Sequence, residues 1–248
     1  MTLVELSWVE RDGILHSPTL GRLGLVAGFT MRALGSMAGG VYDLDEQDRN
    51  RLALAKHLGF DRVVRVKQVH GDTVVRADDV GTAWPEADAL WTTTPGLLLG
   101  VAAADCVPVL VADPDGPIGA AHAGWQGTSK RIAVRLVETL VRQGADPAHL
   151  VAAIGPSIGP CCYVIDEARA AIIRERLGAD SGAVLFAGPD GQPVFDLWSA
   201  NAQQLEQAGV RTIERCDVCT KSGGADIWSH RGESGLNGTG LGIIGRPR

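Results

Sequence analysis

The sequence predicts an α+β fold: a single layered domain over residues 1–248, with mixed β-sheets and peripheral helices. Three observations point there. Strand-like and helix-like segments alternate irregularly, without the strict repeat of a βαβ wheel. The strand-like runs differ in length. The chain of 248 residues, 45% hydrophobic, holds ample material for a core, and no linker or internal repeat divides it.

Residues 45–58 (DEQDRNRLALAKHL) read as a helix, with acids in the first turn and Gly59 placed to end it. RVVRVKQV then reads as a strand that delivers His70 and Gly71 to a turn. Residues 97–104 are continuously apolar and small, as in a strand buried on both faces, until Asp105 and Cys106 interrupt the run. A second apolar run covers 107–112, and Pro114, Asp115 and Gly116 make a turn. GPIGAAHAG is a Gly- and Ala-rich strand that permits close backbone approach around His122.

Thr128 is expected to open a helix with Ile132, Leu136, Val137, Leu140 and Val141 on one face and Gly144 as its stop. A short strand from Val151, the loop GPSIGPCCYVID and a helix through ARAAIIRERL follow. A last helix spans about 197–208 with Gly209 behind it, and a Gly- and Ser-rich end from 215 to 248 holds His230 and Arg231.

The net charge of −6 lacks the clustered Lys and Arg that neutralise phosphates, which argues against a nucleic-acid partner. No segment is long and apolar enough to span a bilayer. The start, MTLVELSWVERDG, carries Glu5, Glu10, Arg11 and Asp12 and lacks the basic start and apolar stretch of a signal peptide. Five cysteines, an odd number, fit a reducing compartment better than a disulfide framework, so the expected location is cytoplasmic.

The chemistry centres on His70 in KQVHGDTV, Cys106 in AAADCVPVLVAD and His122 in AAHAGW, each at the end of an apolar run. Two imidazoles and a thiolate could hold one zinc with a fourth position open, the pattern of a catalytic rather than a structural site. On these residues alone, separate packing of a buried thiol and two turn histidines remains the alternative.

Other motifs are weaker. Cys216 and Cys219 form a CxxC with no second CxxC to complete a ribbon and a poor helix start after it, so packed thiols are expected. Cys161 and Cys162 follow Pro160 as in the PCxxC of zinc nucleobase deaminases, but the partner HxE is absent. GLGIIG at 240–245 matches GxGxxG literally, yet three residues remain after it, too few for a helix that could meet a pyrophosphate. Six histidines are too few for a conventional multicopper oxidase, and His16, His57 and His149 read as surface residues.

Taken in order, KQVHGDTV, ADALWTTTPG, AAADCVPVLVAD, AAHAGW, IGPSIGPCCY and FDLWSANAQQLEQAGV resemble the polyphenol oxidase (laccase-domain) family, whose members are also described as purine nucleoside phosphorylases. The resemblance runs from about Arg32 to the end. It implies a single zinc, with copper as the other candidate metal, bound by His70, Cys106 and His122. It implies cleavage of adenosine and inosine by phosphate, with adenosine deamination as a companion activity, in a monomer or homodimer.

Within that frame Cys106, Asp105 and His122 are the catalytic candidates. Arg32, Gln68, Asp88, Gln126, His230 and Arg231 are the candidates for contacting nucleoside and phosphate. The chain departs from the family pattern where AHAGWRG, SYRR or SHRR, and TGR carry arginines: here Gln126, Gly232 after Arg231, and Leu241 stand instead. The early TRxGGVS motif is altered too, because Thr30, Met31 and Arg32 lead into ALGSMAGGVYDLDEQ. The open alternatives are hydrolysis of an amide in a nucleotide-linked muramoyl serine, a metal-free hydrolase with Cys106 as nucleophile and His122 as base, a copper-dependent polyphenol oxidase, and a nucleoside-binding module with weakened turnover.

Overall fold

Each sheet has one face on the other sheet and one face on helices, so four layers stack as helices, sheet, sheet, helix. The computed structural model describes residues 2–3, 8–39, 41–224 and 226–248. Part of the N-terminal reading (1, 4–7) lies outside them, as do Gly40 and Ala225.

The first sheet has seven strands, in the order β1 (Thr2–Leu3), β14 (Thr212–Arg215), β11 (Val151–Ile154), β9 (Val107–Ala112), β10 (Ile118–Ala123), β7 (Ala89–Thr92) and β6 (Val74–Arg76). The second has six: β2 (Val9–Arg11), β3 (Ile14–His16), β4 (Val26–Thr30), β15 (Gly240–Gly245), β8 (Leu98–Ala103) and β5 (Val63–Val64). A separate hairpin pairs β12 (Leu185–Ala187) with β13 (Pro193–Phe195). Both large sheets mix parallel pairs, such as β11 with β14 and β5 with β8, with antiparallel ones, as an α+β fold does. The helices are α1 (Pro18–Gly21), α2 (Leu44–His57), α3 (Trp125–Ser129), α4 (Ile132–Arg142), α5 (Glu167–Leu177) and α6 (Leu197–Gln207). Among the described residues none is long and apolar enough to cross a membrane.

Strand periodicity assigns the layers. In β9, Val107, Val109 and Val111 face Ile132, Leu136 and Leu140 of α4, while Leu110 and Ala112 face Phe29, Leu99 and Ile244 across the sheet-to-sheet core. The second sheet's outer face buries Ile14, Leu98, Leu241 and Ile243 under Leu54 and Ala55 of α2. In β10, Ile118 and Ala120 belong to the sheet-to-sheet core, so His122, two residues on, shares that face at the strand's end. Because β9 and β10 are antiparallel, with His122 opposite Pro108, Cys106 at the start of β9 arrives at the same end.

Two expectations are corrected. The helix expected from Thr128 is broken into α3 and α4 at Arg131, whose φ is 63°. The Thr128 carbonyl closes a tightened last turn by accepting the Arg131 N–H at 3.0 Å, and it also accepts Gln204 Nε2 at 2.9 Å. The strand expected through Val69 ends as a ladder at Val64, and further on the Gln68 carboxamide pairs with Ala102 in β8, donating to its carbonyl (2.8 Å) and accepting its N–H (2.7 Å). GLGIIG, to which the sequence pattern assigns no element, forms β15, a buried strand between β4 and β8.

Its glycines are required by close approach: a Cβ on Gly242 would press into the Pro108 ring, and one on Gly245 would lie 2.7 Å from Phe60. Gly242→Ala is therefore expected to destabilise by about 2–3 kcal/mol in urea unfolding. Gly21→Ala, which meets nothing within 4 Å, is expected to change stability by less than about 0.5 kcal/mol.

Candidate metal centre

The turn carrying His70 is built around one carboxylate. Asp88, fully buried, accepts the N–H groups of Val69 (3.1 Å), His70 (3.0 Å) and Gly71 (2.6 Å). It also accepts His122 Nδ1 at 2.9 Å, while its carbonyl takes the His122 N–H at 2.7 Å. These bonds, with Lys130 Nζ on the His70 carbonyl at 2.9 Å, hold His70 at φ 57°, a left-handed conformation that a non-glycine residue adopts at a cost of about 1–2 kcal/mol.

Cys106 is placed by a second carboxylate. Asp105, at φ 81°, turns the chain between β8 and β9. Its side chain accepts Thr220 Oγ1 (2.6 Å), Ser229 Oγ (2.8 Å) and the Arg231 N–H (2.6 Å), and its carbonyl accepts the Ile158 N–H at 2.9 Å. Three distant segments are thus fastened to the residue before the thiol.

The donor atoms of His70, Cys106 and His122 lie within 4.8 Å of one another, and the two imidazole rings stand 4.9 Å apart at 76°. This set fits a metal ion. Asp88 is an acceptor, so Nδ1 of His122 carries the proton and Nε2 is left as the ligand atom, the arrangement in which a carboxylate orients a metal-binding imidazole. Gly124 completes the cradle: a Cβ there would sit 2.7 Å from Cys106 Sγ and 3.3 Å from the His70 ring.

Without a metal the same groups polarise one another. Burial pushes the Cys106 thiol up, but the facing His122 and His70 outweigh it and bring it down to about 6. Burial pushes His122 down, but Cys106 and Asp88 raise it to about 9. Between those values the metal-free centre holds a thiolate beside an imidazolium. Alkylation of Cys106 in chelator-treated protein should accordingly rise with pH through a midpoint near 6 and be level by pH 8, where an ordinary thiol is still climbing. Restored metal should suppress the reaction at every pH, and a midpoint near 8.5 would contradict the pairing.

A cavity of about 770 Å³ opens beside the donors. Of the candidates named from the sequence, Gln68, Asp105, Gln126, His230 and Arg231 line it with them, and Arg32 and Asp88 do not. Arg32 is drawn off by Glu233, 2.8 Å away, and lies 3.8 Å over the Trp228 ring, while Asp88 stands behind the donors. Of the positions that depart from the family's arginines, Gln126 faces the cavity. Leu241 is core beneath α2, and Gly232 is exposed.

Sequence reasoning missed other lining residues. Arg65 is 6% exposed, 5.0 Å from the Trp84 ring and pushed down to about 10 by burial and by Arg51. Period-2 reading of RVVRVKQV would have put Arg65 and Lys67 on one face. Tyr163 and Arg169 gave no signal: one follows the cysteine pair, and the other reads as an ordinary charge in a first helical turn.

The remaining cysteines regroup. Cys219 lies with Cys161 and Cys162 rather than forming a motif with Cys216, which burial pushes up to about 12. Burial also opposes ionisation of Cys219, but hydrogen bonds from Ser222 and Gly159 bring it down to about 7.

Fold and site together define a layered α+β protein with a cluster of two histidines and one cysteine on a large, open cavity. A family model described as multi-copper polyphenol oxidoreductase laccase matches residues 21–247, and the chain belongs to that family. A purine nucleoside phosphorylase of Deinococcus radiodurans is 41% identical over 95% of this chain and 93% of its own. The purine nucleoside phosphorylase YlmD of Geobacillus stearothermophilus is 37% identical over 90% of each. The crystal structure of YlmD from that organism superposes with a TM-score of 0.86 at 34% identity, covering 97% of this chain and 99% of the other. That of Bacillus licheniformis YfiH gives 0.85 at 30% identity, covering 96% and 97%.

Proposed function

We propose that this chain is a single-domain, zinc-dependent purine nucleoside phosphorylase whose metal is held by His70, Cys106 and His122. The observation that carries the reading is that donor set on the wall of a large cavity, in a chain 41% identical to a protein named for this activity. A bound zinc would supply Lewis acidity to polarise an oxygen or nitrogen of the substrate. Copper suits two imidazoles and a thiolate as well, and the metal content of purified protein decides between them.

In phosphorolysis a phosphate oxygen forms a bond to the anomeric carbon as the bond from that carbon to the purine nitrogen breaks, and the base leaves with a proton. Positive charge develops on the sugar, so an anion must be held close beneath it. Arg231 is the first candidate for that anion. Its NH1 donates to the Val164 carbonyl at 3.1 Å and its guanidinium lies 5.5 Å from the Tyr163 ring, which leaves further N–H groups for oxyanion contacts. Arg169, also lining the cavity, is the second. Gln126 and His230 offer hydrogen bonds to a sugar or base, and Tyr163 and Trp125 offer aromatic surface for a purine.

Asp105 and Gln68 serve here as positioning residues, because three donors already occupy the Asp105 carboxylate and both ends of the Gln68 amide are engaged by Ala102. Five free thiols accord with a reducing, cytoplasmic setting.

The test is incubation of the metal-loaded protein with inosine or adenosine, with and without phosphate. Release of free base and ribose 1-phosphate only with phosphate is expected. Arg231→Ala should raise the KM for phosphate about tenfold or more, the loss of one charge-assisted contact. Base release that ignores phosphate would replace this reading with hydrolysis, and ammonia from adenosine would report deamination separately.

A further inference from the structure

A second thiol cluster stands apart from the centre described above and shares no residue with it. The sulfurs of Cys161, Cys162 and Cys219 lie within 4.8 Å of one another. Cys161 and Cys162 sulfurs are 3.6 Å apart, and Ser222 Oγ lies 3.6 Å from Cys161 Sγ. The backbone sets this convergence. Ser157 N–H donates to the Val218 carbonyl at 3.2 Å and Thr220 N–H to the Ser157 carbonyl at 3.0 Å, which fastens the 157–163 loop to the 218–222 loop. The Cys162 N–H closes a turn on the Gly159 carbonyl at 2.9 Å, and the Gly159 N–H donates to Cys219 Sγ at 3.3 Å, a bond that favours the thiolate.

We propose that Cys161, Cys162 and Cys219 form a second metal site, taking a soft, thiophilic d¹⁰ cation, Zn²⁺ or Cu⁺. Thiolates about 2.3 Å from a zinc ion lie about 3.8 Å from one another in a tetrahedron, close to the 3.6 Å already present between two of these sulfurs. Each thiol gives up its proton to solvent on binding, and the sulfurs are neither oxidised nor reduced. Three thiolates select a soft cation over magnesium or calcium, and partial exposure of Cys161 leaves an entry path and a fourth position for water or Ser222.

The site lies next to the cavity in sequence. Tyr163, which lines the cavity, follows Cys162, and Thr220, which holds Asp105, follows Cys219. A cation here cross-links the two loops that carry them and raises the unfolding temperature of the whole protein.

The test uses full-length Cys106→Ala, so that the first centre cannot account for the signal. Titration with Zn²⁺ and, anaerobically, with Cu⁺ against a competing chelator should show about one tightly held equivalent, and Cd²⁺ should give a thiolate charge-transfer band of three-sulfur intensity. The arm with the higher affinity identifies the cation. Adding Cys219→Ser should weaken binding by about a hundredfold. Because Cys219 is buried and its loss could unfold the chain, Cys161→Ser is the second variant: this exposed position should lower affinity about tenfold and reduce the band to two sulfurs. No metal held by Cys106→Ala, a band of one-sulfur intensity, or a disulfide within the cluster of the protein as isolated would each overturn the assignment. None of these readings depends on nucleoside turnover.

Discussion

On the proposed reading, Cys106→Ala is expected to remove the metal of the first centre and, with it, turnover. In the purified variant one equivalent of zinc is lost from the first centre, and base release from inosine falls by about three orders of magnitude, as expected when a Lewis acid worth about 4 kcal/mol is withdrawn. The donors explain why the thiol dominates. His122 and His70 are neutral ligands when metallated, so Cys106 carries the only formal negative charge the set offers a dication. Two imidazoles without the thiolate hold zinc weakly. The fold should survive: Cys106 is only half-buried, and the turn before it is held by Asp105 rather than by the sulfur. An unchanged urea midpoint for the metal-free proteins, together with lost metal and lost turnover, is the expected pattern. A variant that keeps its zinc and its activity would remove Cys106 from the centre.

The parts legible in the sequence are those fixed by local pattern. The apolar run 107–112 is β9, and the acid-rich start at 45 and the stop at Gly59 bracket α2. The features that were missed depend on tertiary partners. Nothing local in GLGIIG indicates a buried strand, because glycine is a poor strand former. The choice of glycine there is made by the Pro108 ring and Phe60 packed against it, which lie far off in the chain. The break at Arg131, at φ 63°, coincides with a tertiary contact that no local pattern announces: Gln204, seventy-odd residues away, donates to the Thr128 carbonyl that ends α3. The strand reading of RVVRVKQV went too far because a side chain, Gln68, takes over the pairing that backbone would have made.

The site shows the same division. The three donors stood out as chemically distinctive residues at the ends of apolar runs, but whether they met was decided by the β9–β10 register, which brings Cys106 to His122, and by Asp88, which fastens the His70 turn to His122. Arg32, an attractive anion contact in sequence, is neutralised by Glu233, a partner two hundred residues on that no local motif announces. The CxxC spacing of Cys216 and Cys219 suggested a pair, while the fold pairs Cys219 with the thiols of another loop.

Asp88→Asn has the second large expected effect, and it separates orientation from ligation. One Asp88 oxygen serves the N–H groups of Val69 and Gly71, and the other serves the His70 N–H and His122 Nδ1. An asparagine presents one oxygen and one NH₂, so either orientation turns donors against donors at a fully buried position. If the NH₂ faces His122, the imidazole must give up its Nδ1 proton to accept, and the proton moves to the nitrogen that should bind metal. The variant should therefore bind zinc about 10–100-fold more weakly, although every ligand is present. It should also unfold about 2–4 kcal/mol more readily, the cost of buried donors left unpaired.

The pH dependence gives an independent check. Burial pushes Asp88 up, but hydrogen bonds from His122 and Gly71 outweigh it and hold the carboxyl below the usual range. A folded pKa below the unfolded one means that the carboxylate's contribution to stability is complete above the unfolded value. It is lost as pH falls from about 4 through the folded value. Asp78, Asp180 and Glu233, whose carboxyls are also held low, make both proteins lose stability along that acid limb, but the parent should lose more than Asp88→Asn, so the two curves converge toward low pH. Parallel curves would mean that the folded Asp88 pKa is not lowered, and that its carboxylate is not held by the His122 and Gly71 contacts.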